Sequence, residues 1–175
     1  MKKEELRKVP EWYSGYIQAV PELSLMEVLA HSDNVYCKVL NDVTEEESTF
    51  SYEEGKWTIK DLILHLSDAE RIFSYRALRI ARGDSSTLTG YDHNHYVKEA
   101  NANLRNKSDL MNEYLLIRKS TLGMFSTFDS NTLKLEGKVD ENVFSPGMLG
   151  FVIAGHHLHH ISIIKSRYLD KLRSK

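Results

Sequence analysis

Four separate stretches of this chain place apolar residues at helical spacing, and this pattern constrains the fold more than any other feature. The predicted helices run over about 24–42, from 58 to about 82, from near 108 through 125, and from 145 to about 171. Ser24 with Glu27 forms a capping box at the first start, and Ser145 with Pro146 is a favourable N-cap and N1 pair at the last. Long helices, few strands and no internal repeat predict an all-α four-helix bundle.

The segments outside these helices predict an arm and several connections. Residues 1–21 carry two prolines and several aromatic residues, and we expect an arm that lies over the bundle or over a partner subunit. The connection 84–106 is long enough to be functional or to contain a short helix, and it is the one expected to cross over the bundle. The run TLKLEGKV (132–139) has the alternation and the glycine of a small hairpin. We interpret residues 1–175 as a single helical-bundle domain.

Composition restricts the classes of function that this chain can have. The net charge is −2, from 23 basic and 25 acidic residues, and without a basic cluster we expect no binding to nucleic acid or to a membrane. The N-terminus lacks the apolar run of a secretory signal, and no window approaches the roughly 18 apolar residues that span a bilayer. The single cysteine, Cys37, excludes an intrachain disulfide and a multi-cysteine metal site. We therefore expect a cytoplasmic protein that acts on a small molecule.

The run AGHHLHHISIIKSRY (154–168) is the clearest candidate for chemistry. His156 and His160 are four residues apart, so a helix stacks both on one face, close enough to share a metal ion. Isoleucines share that face, so the pair is expected to point inward. In the HExxH motif of zinc proteases a glutamate follows the first histidine, and because His157 occupies that position here we reject that class. A histidine-rich surface run is the alternative interpretation.

A third ligand is expected from another inward helix face, and His65 is the candidate. It lies in mid-helix among apolar residues, where an imidazole without a partner would be costly. Taken alone, such a residue is more often a hydrogen-bonded core histidine, but the pair His156 and His160 favours ligation. Three neutral histidines leave the coordination incomplete, which is typical of a catalytic site. Imidazole ligands suit one divalent ion, Zn or Ni, with Fe or Mn as alternatives.

Other polar residues are candidates for contacts near the site. The candidates for a catalytic role are Asp68, Arg76, Tyr91 and Tyr96, and Arg79 and Arg118 could add polar contacts. Asp68 lies near His65 on the helix and could hydrogen-bond a ligating imidazole or a metal-bound water, or else pair with Arg71.

Three further side chains complete the list of reactive groups. His93 and His95 form a rival pair of ligands that would suit an extended chain. Cys37 is predicted to be a buried, inert thiol, and His31 a surface residue.

Two segments resemble the DinB/YfiT-like superfamily. GKWTIKDLILHLSDAERIFSYRALRIARGD (55–84) contains the KWT-I-K entry and the helical histidine followed by D-x-E-R, and IAGHHLHHISIIKSRYL (153–169) contains A-G-H-x-x-H-H. The resemblance extends over nearly the whole chain. It implies a four-helix bundle with a crossover, often dimeric, and it assigns the family's metal triad to His65, His156 and His160. Many relatives carry an acid where this chain has His157, so any role of that acid in catalysis is vacant or changed here.

The resemblance also implies a range of activities. Relatives of known activity include S-transferases and isomerases that use low-molecular-weight thiols, and others are described only as metal-dependent hydrolases. We therefore expect a homodimeric, metal-dependent enzyme that transfers a low-molecular-weight thiol to an electrophilic substrate. The alternatives are a metal-dependent hydrolase that uses metal-bound water and a non-catalytic metal-binding stress protein. The open three-histidine site favours the two enzymatic functions over the non-catalytic one.

Overall fold

The computed structural model of the protein describes residues 1–7 and 9–174, and four long helices dominate it. In chain order the helices are α1 (Glu11–Ala19), α2 (Leu25–Asn41), α3 (Ile59–Ala81), α4 (His93–Ala100), α5 (Lys107–Phe125), α6 (Pro146–Ile163) and α7 (Asp170–Arg173). The π-helical segment Ile164–Leu169 joins α6 to α7, so the last helix is continuous over more than seven turns. A short antiparallel hairpin, β1 (Gly137–Val139) and β2 (Asn142–Phe144), precedes α6. None of the described helices is both long and apolar enough to span a membrane.

The long helices begin and end where local hydrogen bonds satisfy their free backbone groups. At the start of α3 the Asp61 amide donates to Thr58 Oγ1 over 3.1 Å, and the Thr58 amide donates to Asp61 Oδ2 over 2.9 Å. Ser145 Oγ accepts from the Met148 amide at the start of α6. Just beyond the other end of α3, Gly83 has φ +74°, a conformation in which a side chain would be strained. The predicted helix boundaries are confirmed to within a few residues.

The four long helices form a bundle in which consecutive helices are not always neighbours. α2 packs against α5 and α6, and α3 packs against the same two helices. α3 and α5 run parallel, since Lys60 near the start of α3 bonds the Arg105 carbonyl and Ser74 further along bonds Thr121. The chain between them must therefore return along the length of the bundle. This confirms the predicted crossover connection. The length of that connection allowed for a short helix, and α4 is that helix.

The N-terminal arm agrees with one of its two predicted placements, whereas the hairpin differs from its prediction. Residues 1–21 contain α1, which packs against α6 and therefore lies over the bundle. The hairpin was placed at 132–139, but Thr132–Lys134 forms a 3₁₀ turn and the strands lie further along the chain. The reason is the turn itself: Asp140 adopts φ +48° between the two strands, a left-handed conformation that aspartate tolerates better than most residues.

The core of the bundle is divided along its length. One apolar cluster includes Phe73, Phe125 and Leu149, and another at the opposite end includes Leu62 and Leu110. Between them lies a layer of buried polar side chains, namely Ser32, His65, Glu70, Arg118, Thr121, His156 and His157. Because burying polar groups destabilises a fold unless they are paired, this layer is where function is expected.

Candidate metal centre

Three imidazoles meet where α3 faces α6. His65 Nε2 lies 3.2 Å from His156 Nε2, and His160 Nε2 lies 3.0 Å from the same atom. One ligand nitrogen of each ring lies within 4.8 Å of the other two. The four-residue spacing in α6 places His156 and His160 on one face, and the packing of α3 brings His65 against it. The structure thus brings together the three residues that the sequence singled out.

Burial keeps these rings in their neutral form. It lowers the pKa of His65 to about 4 and that of His160 to about 2, with smaller effects from neighbouring histidines. The pKa of His156 is also well below its ordinary value, again chiefly because of burial. A metal ion binds the neutral form of imidazole, so near neutral pH protons would compete little for these nitrogens.

The arrangement fits a divalent ion. Tetrahedral zinc with Zn–N bonds of 2.0–2.1 Å holds its ligand nitrogens about 3.3 Å apart, close to the separations of 3.0 and 3.2 Å between these rings. The donor set of three imidazoles suits zinc and its neighbours in the first transition row. Three protein ligands would leave one coordination position free, as catalytic zinc sites do.

The three histidines form part of the wall of a cavity of about 360 Å³. α1 contributes aromatic side chains to it, Trp57 comes from the residues before α3, and the crossover connection contributes Tyr91 and His93. Phe144 and Asp140 from the hairpin close the far side. A second cavity of about 400 Å³ lies between the N-terminal segment and the hairpin, but the described residues that line it include no histidine or cysteine. The candidate metal ligands therefore lie in the wall of the first of these two cavities.

Comparison with known proteins places this arrangement in a family. The family profile described as the DinB superfamily matches residues 29–164. The chain belongs to the DinB superfamily. A protein of Oceanobacillus iheyensis, whose name proposes a metal-dependent hydrolase, is 25% identical to this DinB-superfamily chain over 130 residues, which are 73% of this chain and 74% of that one.

The fold of this DinB-superfamily chain is also found in a solved structure. YfiT from Bacillus subtilis, described as a probable metal-dependent hydrolase with an unusual four-helix bundle topology, superposes with a TM-score of 0.66. The match covers 93% of this chain and 91% of YfiT at 17% identity. The all-α four-helix bundle predicted from the sequence is thereby confirmed.

The other candidates of this DinB-superfamily chain are divided between the cavity and the surface. Arg76 and Tyr91 line the cavity. The ring of Tyr96 packs against that of Tyr91 with centroids 4.9 Å apart, but Tyr96 is 44% exposed and lies outside the lining. Asp68 Oδ1 accepts from Arg71 over 3.1 Å, which is the alternative that the sequence left open for it.

The rival pair of histidines does not form. His93 and His95 lie at the start of α4, and on a helix a spacing of two turns the side chains about 200° apart. Only His93 lines the cavity, with its ring centroid 5.9 Å from that of His65. The interpretation as a ligand pair in extended chain was wrong because the segment is helical.

Two predictions about other reactive groups have different outcomes. His31 is exposed, as expected. Cys37 is half-buried rather than buried, with its Sγ 3.6 Å from Asp33 Oδ1. Burial and this carboxylate raise its pKa to about 11, so the thiol is protonated near neutral pH and inert as expected.

A buried ionic cluster beside the three histidines was missed by the sequence reasoning. Arg118 contacts Nδ1 of His157 and lies 2.9 Å from Glu70 Oε2, and it donates to the Leu29 carbonyl over 3.0 Å. These groups come from all four long helices and are at most 1% exposed. Arg118 was expected near the pocket, but its guanidinium is enclosed within the bundle.

The sequence did contain a signal for this cluster. Glu70 follows Leu66 by four residues and precedes Phe73 by three, so it shares their inward face. A carboxylate on such a face needs a buried cation, and burial indeed raises the pKa of Glu70 while Arg118 opposes that rise. His157 is thus part of the ionic cluster, and an acid from α3 lies 3.4 Å from its Nε2 atom.

Proposed function

We propose that the protein is a metal-dependent enzyme that transfers a low-molecular-weight thiol to an electrophilic substrate. The observation that carries this proposal is the convergence of three neutral imidazoles, two buried and one half-buried, on the wall of an aromatic cavity. His65, His156 and His160 are the proposed ligands, and Zn or Ni is the proposed ion, with Fe or Mn as alternatives. The names given to the relatives from Oceanobacillus and Bacillus support dependence on a metal.

The residues of this chain have two roles at the site: the three histidines would hold the ion, and the aromatic side chains exclude water. The bound ion would supply an open coordination position at which a thiol or a water loses its proton more easily. Trp57, Tyr16 and Phe73 surround the three histidines with apolar surface, which excludes water and accommodates an apolar substrate. The His93 imidazole reaches the same cavity and can accept a proton from a group bound there.

The described residues that line the cavity include no cysteine, serine, threonine or lysine that could act as a nucleophile. Cys37 lies outside the lining, and its raised pKa, about 11, keeps its thiol protonated. Among the described residues that line the cavity the only carboxylate is Asp140, and its Oδ1 accepts from the Gly90 amide. Among the described lining residues His93 is the candidate base, and a thiol with an ordinary pKa near 8.5 loses its proton far more easily than water does. This difference favours thiol transfer.

The test combines activity with spectroscopy. We expect a panel of small thiols with a chromogenic electrophile to give turnover that requires metal, disappears in His160→Ala and persists in Cys37→Ser. The cobalt-substituted protein should develop a sulfur-to-cobalt charge-transfer band when the active thiol is added. Exposed His159 provides the matched control, since His159→Ala removes an imidazole one residue away and should retain the band.

Hydrolysis is the second candidate because the names of both relatives point to it. His93 would then be the base, since among the described lining residues it is the one histidine outside the triad. A cobalt spectrum that ignores every thiol, together with ester or amide hydrolysis by the metal-loaded protein alone, would replace transfer with hydrolysis.

A further inference from the structure

A buried arginine faces the same cavity without an acidic partner. Arg76 is only 4% exposed and lines the cavity. Its NH2 group donates to the Thr89 carbonyl over 2.7 Å, and its side chain also has a hydrogen bond with Tyr13 that opposes the rise in the pKa of that phenol caused by burial. No carboxylate of the residues that the structure describes lies within 4.0 Å of it. A guanidinium has five N–H donors, so most of the donors of Arg76 are free for a ligand.

The surroundings of Arg76 position its charge but do not neutralise it. The rings of Phe73 and Tyr91 each lie 5.9 Å from the guanidinium carbon. Burial raises the pKa of Tyr13, and the nearby charge of Arg76 opposes that rise. Asp140 is the nearest candidate for a counter-charge in the lining, but one of its oxygens bonds the Gly90 amide. A buried cation left in this state is costly, which is the usual sign of a site completed by a ligand.

The position of Arg76 relates the ligand to the proposed metal. The Phe73 ring lies near both sites, with its centroid 5.9 Å from the guanidinium carbon of Arg76 and 6.0 Å from the centroid of the His156 ring. Arg76 and the triad are therefore separated by no more than these two distances together. A molecule that spans this distance along the cavity can contact both.

The charge of the cavity restricts the kind of anion. Among the described residues of the lining, Arg76 is the only arginine or lysine, and Asp140 adds a negative charge. At the Arg76 end of the cavity, away from the proposed metal ligands, a phosphate dianion would meet one guanidinium and the Asp140 carboxylate, whereas a single carboxylate matches one guanidinium, often through two parallel hydrogen bonds. The aromatic walls suit an apolar body attached to that carboxylate.

We propose that Arg76 binds the carboxylate of a small organic acid whose apolar part fills the aromatic cavity. This inference deepens the proposed function and rests on it for the reaction, since the carboxylate belongs to one of the two reactants, either the electrophile or the thiol. Arg76 is thereby the specificity-determining residue, and neutral analogues of the same shape are poor ligands.

The binding test uses the metal-free protein and needs no turnover. Trp12 and Trp57 line the cavity, so their fluorescence reports occupancy. We expect phenylacetate to bind about tenfold or more tightly than its neutral isostere phenylacetamide, because a charge-assisted pair is at stake. In Arg76→Gln this preference should disappear, and in Arg76→Lys it should be reduced. The matched control is Arg82→Gln, which removes an exposed arginine from the end of the same helix and should keep the full preference.

The outcomes separate this proposal from the proposed function. Equal affinities for the two probes, or no binding of phenylacetate to the wild-type protein, would overturn the carboxylate site. Should Arg76→Gln fail to fold by circular dichroism, the wild-type comparison of the two probes still decides. Zinc binding is measured on the same samples: wild-type protein that binds no zinc overturns the metal proposal and leaves the probe result standing.

A second pair of probes then identifies which reactant carries the carboxylate. We compare 3-mercaptopropionate with its amide in the same fluorescence assay. If the affinity ratio of 3-mercaptopropionate to its amide exceeds that of phenylacetate to phenylacetamide, the carboxylate is assigned to the thiol. If the ratio is smaller, the carboxylate is assigned to the electrophile.

Discussion

At the scale of single residues, all three histidines at the junction of α3 and α6 should be needed for metal binding. We expect His65→Ala, His156→Ala and His160→Ala each to weaken zinc binding by at least about a hundredfold, since even outer-shell partners of a metal contribute ten- to a hundredfold. Equilibrium dialysis with elemental analysis measures this.

The matched control for these variants is His159→Ala. His159 belongs to the same run but is exposed, so zinc binding should stay within a few-fold of the wild type. His157 is less suitable, because it is buried against Arg118 and its loss would disturb the fold. Full zinc occupancy in His65→Ala would remove the triad as the metal site.

The depressed pKa of His65 leads to a second prediction at this scale. Its pKa is near 6.5 in the unfolded chain and about 4 in the folded protein, chiefly because of burial. Between these values the unfolded chain binds a proton that the folded protein does not. The free energy of unfolding of the metal-free protein should therefore be highest above pH 6.5 and fall as the pH drops towards 4, by up to about 1.4 kcal/mol per pH unit for each such histidine. Urea titrations in chelator at several pH values measure this slope, and His65→Gln should make it shallower.

The sequence was informative about residues where a short-range pattern exists. The spacing of His156 and His160 is local to one helix, and His65 stands out as a polar residue on an apolar face. The positions of Arg118 and Glu70 could not be paired in the same way, since they lie on different helices and the sequence alone does not give the register between α3 and α5. The pairing of Asp68 with Arg71 could be anticipated, because the two residues lie three positions apart on one helix.

At the scale of elements, the close contact between α1 and α6 sets the shape of the cavity. A Cβ atom at Gly155 would collide with the backbone carbonyl of Tyr16, which cannot move away by a change of rotamer. We expect Gly155→Ala to displace α1 and to destabilise the protein by roughly 1–3 kcal/mol. Because α1 supplies Trp12, Tyr13 and Tyr16 to the cavity, ligands that fill it should bind more weakly while zinc binding persists.

Gly123→Ala in α5 is the matched control for this variant. Gly123 has open space around its Cα, so the added methyl group meets nothing and should stabilise the helix by about 0.5–1 kcal/mol. Thermal melts and probe titrations of the two alanine variants give the comparison. Unchanged probe binding in Gly155→Ala would mean that α1 does not form the wall of the cavity in solution.

Elements were predictable where caps and periodicity agree, as in the four long helices. The docking of α1 was not, because it depends on one glycine in a helix more than a hundred residues away along the chain. The hairpin was predicted too early in the sequence, since its alternation begins before the turn residue Asp140 that fixes the pairing. Turn conformation and long-range packing, rather than local preference, decided both.

At the scale of the whole molecule, the divided core predicts that the metal is not needed for folding. Each end of the bundle has its own apolar cluster, and the proposed metal site lies between them. We expect the chelator-treated protein to keep its helical circular dichroism at room temperature. Zinc at a hundred times its dissociation constant should add about 2.7 kcal/mol and raise the melting temperature by roughly 5–10 °C. Complete unfolding by chelator would instead make the site structural.

The crossover between α3 and α5 has a consequence for how the molecule can be divided. It is the only covalent link between the N-terminal half of the chain, which carries His65, and the C-terminal half, which carries His156 and His160. A chain broken between Ser86 and Thr87, where both residues are exposed, would leave two fragments that meet along four helices and share one ion. Reassembly of such co-expressed fragments should tighten when zinc is present, because each fragment alone offers at most two of the three imidazoles. The two fragments would then serve as a split sensor, in which the extent of reassembly reports the zinc concentration.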